Sequence, residues 1–146
     1  MTKTLVSLLL LSLAFLPARS QSDSALIRQT ALDYVEGYYT ANWQRMTKAL
    51  HPELVKRIIV KDTTGNYALQ NMGYSGLIFA TRHNTNANGT LNPGQPFKAD
   101  VTIYDIYNKV ATVKVVTNKF RFIDYLHLGK FNGEWKIINV LWEFPQ

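Results

Sequence analysis

From residue 98 onward the chain alternates apolar and polar side chains in four runs, 98–107, 109–118, 120–131 and 134–144. They are broken at Asn108-Lys109, Asn118-Lys119 and Asn132-Gly133. Asn-Gly between alternating runs is the strongest local hairpin signal, because both central residues of the favoured turn need positive φ. The pattern predicts an antiparallel meander, and no helix-period reading fits it.

Ahead of the meander the period changes to that of a helix. Ile27, Ala31, Tyr34, Val35 and Tyr38 share one face over residues 26–41. Asp23 or Ser24 is placed to cap that helix. Gly37 in its interior signals a close approach or a bend. A second helix is expected from Trp43 to Leu50, ending where His51 precedes Pro52, since a residue before proline is pushed out of the helical region. Pro52 can open a further turn. A strand is expected near Arg57 to Val60, a turn at Asp62-Thr63-Thr64-Gly65-Asn66 and a third helix from Tyr74 to His83. A loop rich in Asn, Gly and Pro follows over residues 84–96. Helices followed by strands argue α+β, with the helices on one face of the sheet.

If all three hairpin turns have two residues, they fix the register, and the register fixes which side chains share a face. One face then carries Thr102, Tyr104, Ile106, Ala111, Val113, Val115, Phe122, Asp124, Leu126, Leu128, Ile137, Asn139 and Leu141. It is almost wholly apolar and is expected to lie under the helices. The other carries Val101, Ile103, Asp105, Thr112, Lys114, Val116, Arg121, Ile123, Tyr125, His127, Ile138, Val140 and Trp142, and is expected outside. A single bulge would turn a strand over.

The chain opens with Lys3, a short apolar run to Leu16, Pro17 and Ala18-Arg19-Ser20. That order of charge, apolar stretch and small residues is the pattern expected of a cleavable secretory signal, and the run is too short to span a bilayer. Residues 1–20 are thus expected to be a signal peptide, and 21–146 a single domain secreted or placed in the periplasm of a bacterial cell envelope. Without Lys3 and Arg19, 14 basic residues face 10 acidic ones. The charges are scattered, which suits a solvated surface better than a nucleic-acid site. There is no cysteine, so burial alone must hold the fold, and at this length it suffices.

Four stretches carry a resemblance to a known family. They are Met46-Thr47-Lys48-Ala49-Leu50-His51-Pro52-Glu53-Leu54-Val55-Lys56-Arg57, Ala111-Thr112-Val113-Lys114-Val115, Asp124-Tyr125-Leu126-His127-Leu128 and Gly133-Glu134-Trp135-Lys136-Ile137-Ile138-Asn139. Together with three leading helices and a meander, they resemble the putative lumazine-binding family of the nuclear transport factor 2-like superfamily, which also includes ketosteroid isomerases and polyketide cyclases. The resemblance implies a cone-shaped α+β roll, with N-terminal helices packed on a curved antiparallel β-sheet. It also implies a ligand in the cone, although a fold does not carry a function by itself.

Asp124 is the candidate for chemistry. A carboxyl on an apolar face can act as a general acid or base, or simply accept hydrogen bonds from Tyr104 or the backbone. Tyr34, Tyr38, Tyr104, Asp124 and Asn139 are the candidate ligand-binding residues, and Tyr125, Val140 and Trp142 the candidate homodimer interface. His51, His83 and His127 have no metal-ligand spacing, and no phosphate loop, dinucleotide fingerprint or complete nucleophile elbow is present. Neither metal nor cofactor is expected, nor nucleic acid, nor stable membrane insertion after cleavage. The leading reading is a module binding a small apolar or aromatic ligand, or mediating contacts. The alternative is an isomerase- or cyclase-type enzyme using Asp124 as acid or base. Export has a direct check. The protein recovered from the envelope or medium should have the mass of residues 21–146, with Gln21 cyclised to pyroglutamate. Recovery with residues 1–20 attached would contradict it.

Overall fold

The computed structural model describes residues 21–84, 96–119 and 122–144. The proposed signal segment, residues 85–95 of the expected loop and Arg121 of the expected outer face lie outside the described residues. Three helices, α1 (Asp23–Tyr39), α2 (Trp43–Ala49) and α3 (Tyr74–Arg82), pack on one face of a six-stranded sheet. Its strands are β1 (Leu50–Lys61), β2 (Tyr67–Gly73), β3 (Ala99–Tyr107), β4 (Val110–Thr117), β5 (Ile123–Phe131) and β6 (Glu134–Glu143). They lie in the order β2-β1-β6-β5-β4-β3, so the sheet stays open. All neighbours are antiparallel except β1 and β6. The sheet is therefore mixed, where a purely antiparallel one was expected.

The expected meander forms, extended by a β1–β2 hairpin at one edge. Asn108 and Asn132 adopt φ of 50° and Gly133 adopts φ of 89°, as tight hairpins need. The Asn118-Lys119 turn is different. Val116 pairs with Ile123, so the link between β4 and β5 is longer than a two-residue turn. Thr117 Oγ1 and Tyr39 Oη both donate to the Lys119 carbonyl, at 2.7 and 3.1 Å, and pin it to α1. Pro52 opens no further turn; it lies within β1.

Ile27, Ala31, Tyr34 and Val35 of α1 are buried against the sheet as the periodicity requires, joined by Tyr39. Ser22, rather than Asp23 or Ser24, caps α1, its hydroxyl accepting from the Ala25 N–H at 3.3 Å. Asp23 instead ties the start of α1 to the sheet. Its Oδ1 accepts from Lys130 Nζ at 2.6 Å and Trp135 Nε1 at 2.9 Å, and those bonds hold its pKa below the ordinary 3.8. Gly37 is the close approach its position suggested. A Cβ there would lie 3.0 Å from the Met46 nitrogen and 3.2 Å from the Asn42 carbonyl. The absent side chain lets α2 fold back against α1, where Arg45 then pairs with Asp33 at 2.7 Å and with Glu36.

Two bulges reset the faces of the sheet. In β3, Ile103 pairs with Val113 and Asp105 with Thr112, leaving Tyr104 as the extra residue. In β6, Ile137 pairs with Leu128 and Asn139 with His127, leaving Ile138 extra. Each bulge reverses the alternation beyond it. Val101, Val140 and Trp142 therefore turn to the helix side, while Thr102, Tyr104, Asn139 and Leu141 turn outward. Val140 is fully buried, whereas Tyr104 is 55% exposed and Leu141 42% exposed. Val115, Val113, Asp124, Leu126, Leu128 and Ile137 keep the inward side the uniform register gave them.

Candidate functional site

A cavity of about 80 Å³ lies between α1, α3 and the inner face of the sheet. Tyr34, Val35, Tyr38 and Tyr39 of α1 form one wall, and Leu77 and Ala80 of α3 another. The sheet supplies Lys56 from β1, Met72 from β2, Asp124 from β5 and Trp142 from β6, with Phe122 just before β5. Most of this lining is apolar or aromatic. Its polar groups converge on one spot.

There Tyr34 Oη donates to Asp124 Oδ1 at 3.0 Å. Lys56 Nζ donates to the same carboxylate oxygen at 2.9 Å and also to Tyr34 Oη. The ion pair is buried, with the Lys56 side chain 14% and the Asp124 side chain 5% exposed. Burial first, then the charge and hydrogen bond of Asp124, raise the Tyr34 pKa well above its ordinary 10.0, so the phenol stays neutral. Burial likewise raises the pKa of Tyr38 and of Tyr39.

The register explains how these groups meet. Lys56 pairs with Val140 across β1–β6, and Asp124 pairs with Trp142 across β5–β6. Lys56 and Asp124 are thus separated by a whole strand, roughly 10 Å of sheet. Only a long side chain can bridge that gap. Lys56 does so by lying over β6, its Nζ 4.7 Å from the Trp142 ring centroid and 5.3 Å from that of Tyr34. The ammonium thus lies over two aromatic rings while it reaches the carboxylate. Phe122 meets Trp142 edge-on, with ring centroids 5.1 Å apart.

Of the residues expected to bind ligand, the structure brings together Tyr34, Tyr38 and Asp124. Tyr104 and Asn139 lie elsewhere, because the bulges turn them to the outer face. There Asn139 accepts from Arg57 and contacts His127 Nδ1 at 3.1 Å. Val140 and Trp142 leave the expected outer interface for the same reason, Val140 joining the core and Trp142 the cavity wall. Tyr125 alone of those three stays on the outer face, 40% exposed. Lys56 went unrecognised in the sequence. Its signal was the spacing Leu54, Lys56, Ile58, a lysine between two apolar residues on the inward side of a strand. Among the described residues, no group of three or more His, Asp or Glu is placed to hold a metal, and no helix is long and apolar enough to cross a membrane.

Removing one member of a buried ion pair strands the other charge, at a typical cost of about 3–5 kcal/mol. Lys56→Met and Asp124→Asn should each lower stability to urea by about that much. The double variant should lose clearly less than the sum, because no charge is left unpaired. Strictly additive losses in that cycle would mean that the two side chains do not interact.

A family model described as "putative lumazine-binding" matches residues 22–143. A nuclear transport factor 2-like protein of unknown function from Shewanella baltica superposes with a TM-score of 0.64 at 22% identity, over 83% of this chain and 92% of that one. Another, from Methylobacillus flagellatus, gives 0.60 at 22% identity over 87% and 97%. A ketosteroid isomerase-like protein from Erwinia carotovora atroseptica gives 0.56 at 13% identity over 84% and 95%. At these identities the structures establish the shared fold. No curated protein matches the sequence.

Proposed function

The chain belongs to the putative lumazine-binding family of nuclear transport factor 2-like proteins, and on that premise we propose that it is an exported domain that binds a small, largely aromatic molecule in the cavity between its helices and its sheet. One observation carries this reading: a buried Lys56–Asp124–Tyr34 cluster stands in an otherwise apolar, aromatic-walled cavity. Apolar walls with a few convergent polar groups are how small-molecule sites are generally built. Desolvating two charges is costly, and an apolar core of the same shape would be at least as stable. The cluster is therefore better understood as recognition than as scaffolding.

Binding is favoured over acid–base catalysis. Asp124 Oδ1 is already engaged by both Lys56 and Tyr34. Tyr104 and Asn139, expected to bind ligand beside Asp124, face away from the cavity. Native mass spectrometry of protein purified gently from its own host should detect a small-molecule adduct. Ala80→Phe, which fills the cavity, should abolish the adduct while leaving the circular dichroism spectrum unchanged. Absence of any adduct, or its persistence in the filled variant, would contradict the reading.

The outer face of the sheet suits pairing with a second copy of the chain. Ile59, Leu69, Tyr125 and Leu141 expose apolar surface there, beside cationic Arg57 and Lys114 and anionic Asp100, Asp105 and Glu143. A patch of both signs can complement itself across a two-fold axis. Sedimentation should find a dimer that Leu141→Lys converts to monomer; a monomeric wild type at micromolar concentration would refute the pairing.

A further inference from the structure

We propose that the groove between α2 and α3 is a docking site for an extended segment of a partner protein, one that carries an acidic side chain beside apolar ones. Arg82 receives the carboxylate, and Phe79 and Tyr74 take the apolar neighbours. The site stands whether or not the cavity on the other side of α3 binds a ligand.

α3 presents two sides. Leu77 and Ala80 line the cavity. Tyr74, Ile78, Phe79, Arg82 and His83 share the other side, as helical spacing requires, and line an outward groove with Trp43 of α2 opposite. From Tyr74 to Arg82 the stripe spans about 12 Å of helix, roughly the length of three or four extended residues. Ile78 is buried, whereas Phe79 is 65% exposed. A phenylalanine left that open among other aromatic groups is surface that a partner can cover.

The charged group gives the partner's chemistry. Arg82 lies over the Trp43 ring, its guanidinium carbon 4.0 Å from the ring centroid. Stacking uses the face of a guanidinium and leaves its N–H edge free. Among the described residues that edge has no hydrogen-bond or ion-pair partner. Beside it, His83 Nδ1 lies 2.9 Å from the Phe79 carbonyl oxygen. A carbonyl only accepts, so Nδ1 carries the proton and Nε2 is the nitrogen left for a partner. A stacked guanidinium with an open donor edge is matched by a carboxylate, which takes two parallel hydrogen bonds.

No acid of this chain is placed to fill that role. Its ten acidic residues all lie in described segments, and none falls in residues 37–52, around α2, or 63–98, around α3. Asp33 and Glu36 of α1 are held by Arg45. Glu53 precedes Leu54, whose carbonyl lies 3.9 Å from where a Gly73 Cβ would stand, so it belongs to the Tyr74 end, the length of α3 away from Arg82. Lysine and arginine are equally scarce. Arg82 is the one such residue of the described lining, and residues 84–97 add none. Membranes and nucleic acids are gripped by several cations at once. One arginine among aromatic groups is instead the composition of a protein-binding anchor.

The test begins with selection of displayed random heptapeptides on the purified protein. Enriched sequences should place an Asp or Glu beside aromatic or aliphatic residues. The strongest, synthesised with a fluorescent label, should bind Arg82→Gln about tenfold more weakly in fluorescence polarisation, and should lose about as much on wild type when its acid is replaced by the amide. Both changes together should cost little more than either alone. Arg82 is exposed, so the circular dichroism spectrum of the variant should match that of wild type. No enrichment, enriched peptides without an acid, or affinity indifferent to Arg82→Gln overturns the proposal. So does co-sedimentation with phosphatidylglycerol vesicles that Arg82→Gln abolishes, which assigns the groove to a lipid surface, or a dimer that Arg82→Gln dissociates, which assigns it to a second copy of the chain.

Discussion

Lys56 and Asp124 carry opposite charges in a place where water scarcely reaches, and much of the surrounding structure follows from keeping them together. Each charge alone would be prohibitive in that setting. Paired, and joined by the neutral Tyr34 phenol, they form a closed polar island in an aromatic enclosure. The island explains why α1 turns its tyrosines inward. Tyr34 must donate to the carboxylate, and Tyr38 and Tyr39 close the apolar rim around it. It also explains the position of Trp142, whose ring underlies the Lys56 ammonium.

The bulge at Ile138 is the backbone device behind this arrangement. Without it, Asp124 would face Leu141 and Trp142 would point to solvent. With it, Trp142 stands beside Asp124 on the inner face, and the parallel partner β1 delivers Lys56 to Val140 one strand further out. The bulge at Tyr104 acts similarly at the far edge, turning a tyrosine outward and admitting Val101 to the core. The helices are further tied down by the Asp23 contacts to Lys130 and Trp135, by the Arg28 hydrogen bond to the Val101 carbonyl at 2.7 Å, and by the Tyr39 hydroxyl on the Lys119 carbonyl.

The elements themselves were legible because their periods are unambiguous. The stripe of Ile27, Ala31, Tyr34 and Val35, and the alternations after residue 98, each admit one reading, and Asn132-Gly133 marks its hairpin outright. The placement of Asp124 on the buried face was legible too, since the β4–β5 connection lengthened without changing the parity of the pairing. Three other features were hidden. Ile138 and Tyr104 look like ordinary strand residues, because a bulge is a property of the pairing and leaves no reliable mark on one strand. The parallel β1–β6 contact joins segments some eighty residues apart, with no turn between them to announce it. Lys56 precedes the strand expected near Arg57 to Val60, whereas β1 starts at Leu50, so its inward position was missed.

The central claim is that Lys56 is held as a buried ammonium against Asp124 and an aromatic wall. Nitrogen-15 NMR of the lysine side chains reads this directly at neutral pH. An ammonium shielded from water and hydrogen-bonded to a carboxylate exchanges its protons slowly, so one lysine cross-peak should persist at room temperature, be lost in Lys56→Met and move in Asp124→Asn. Ring currents from Trp142 and Tyr34 should shift it away from the other lysines. If the Lys56 signal exchanges as fast as those of the surface lysines and ignores Asp124→Asn, the ion pair that organises the cavity does not exist in solution.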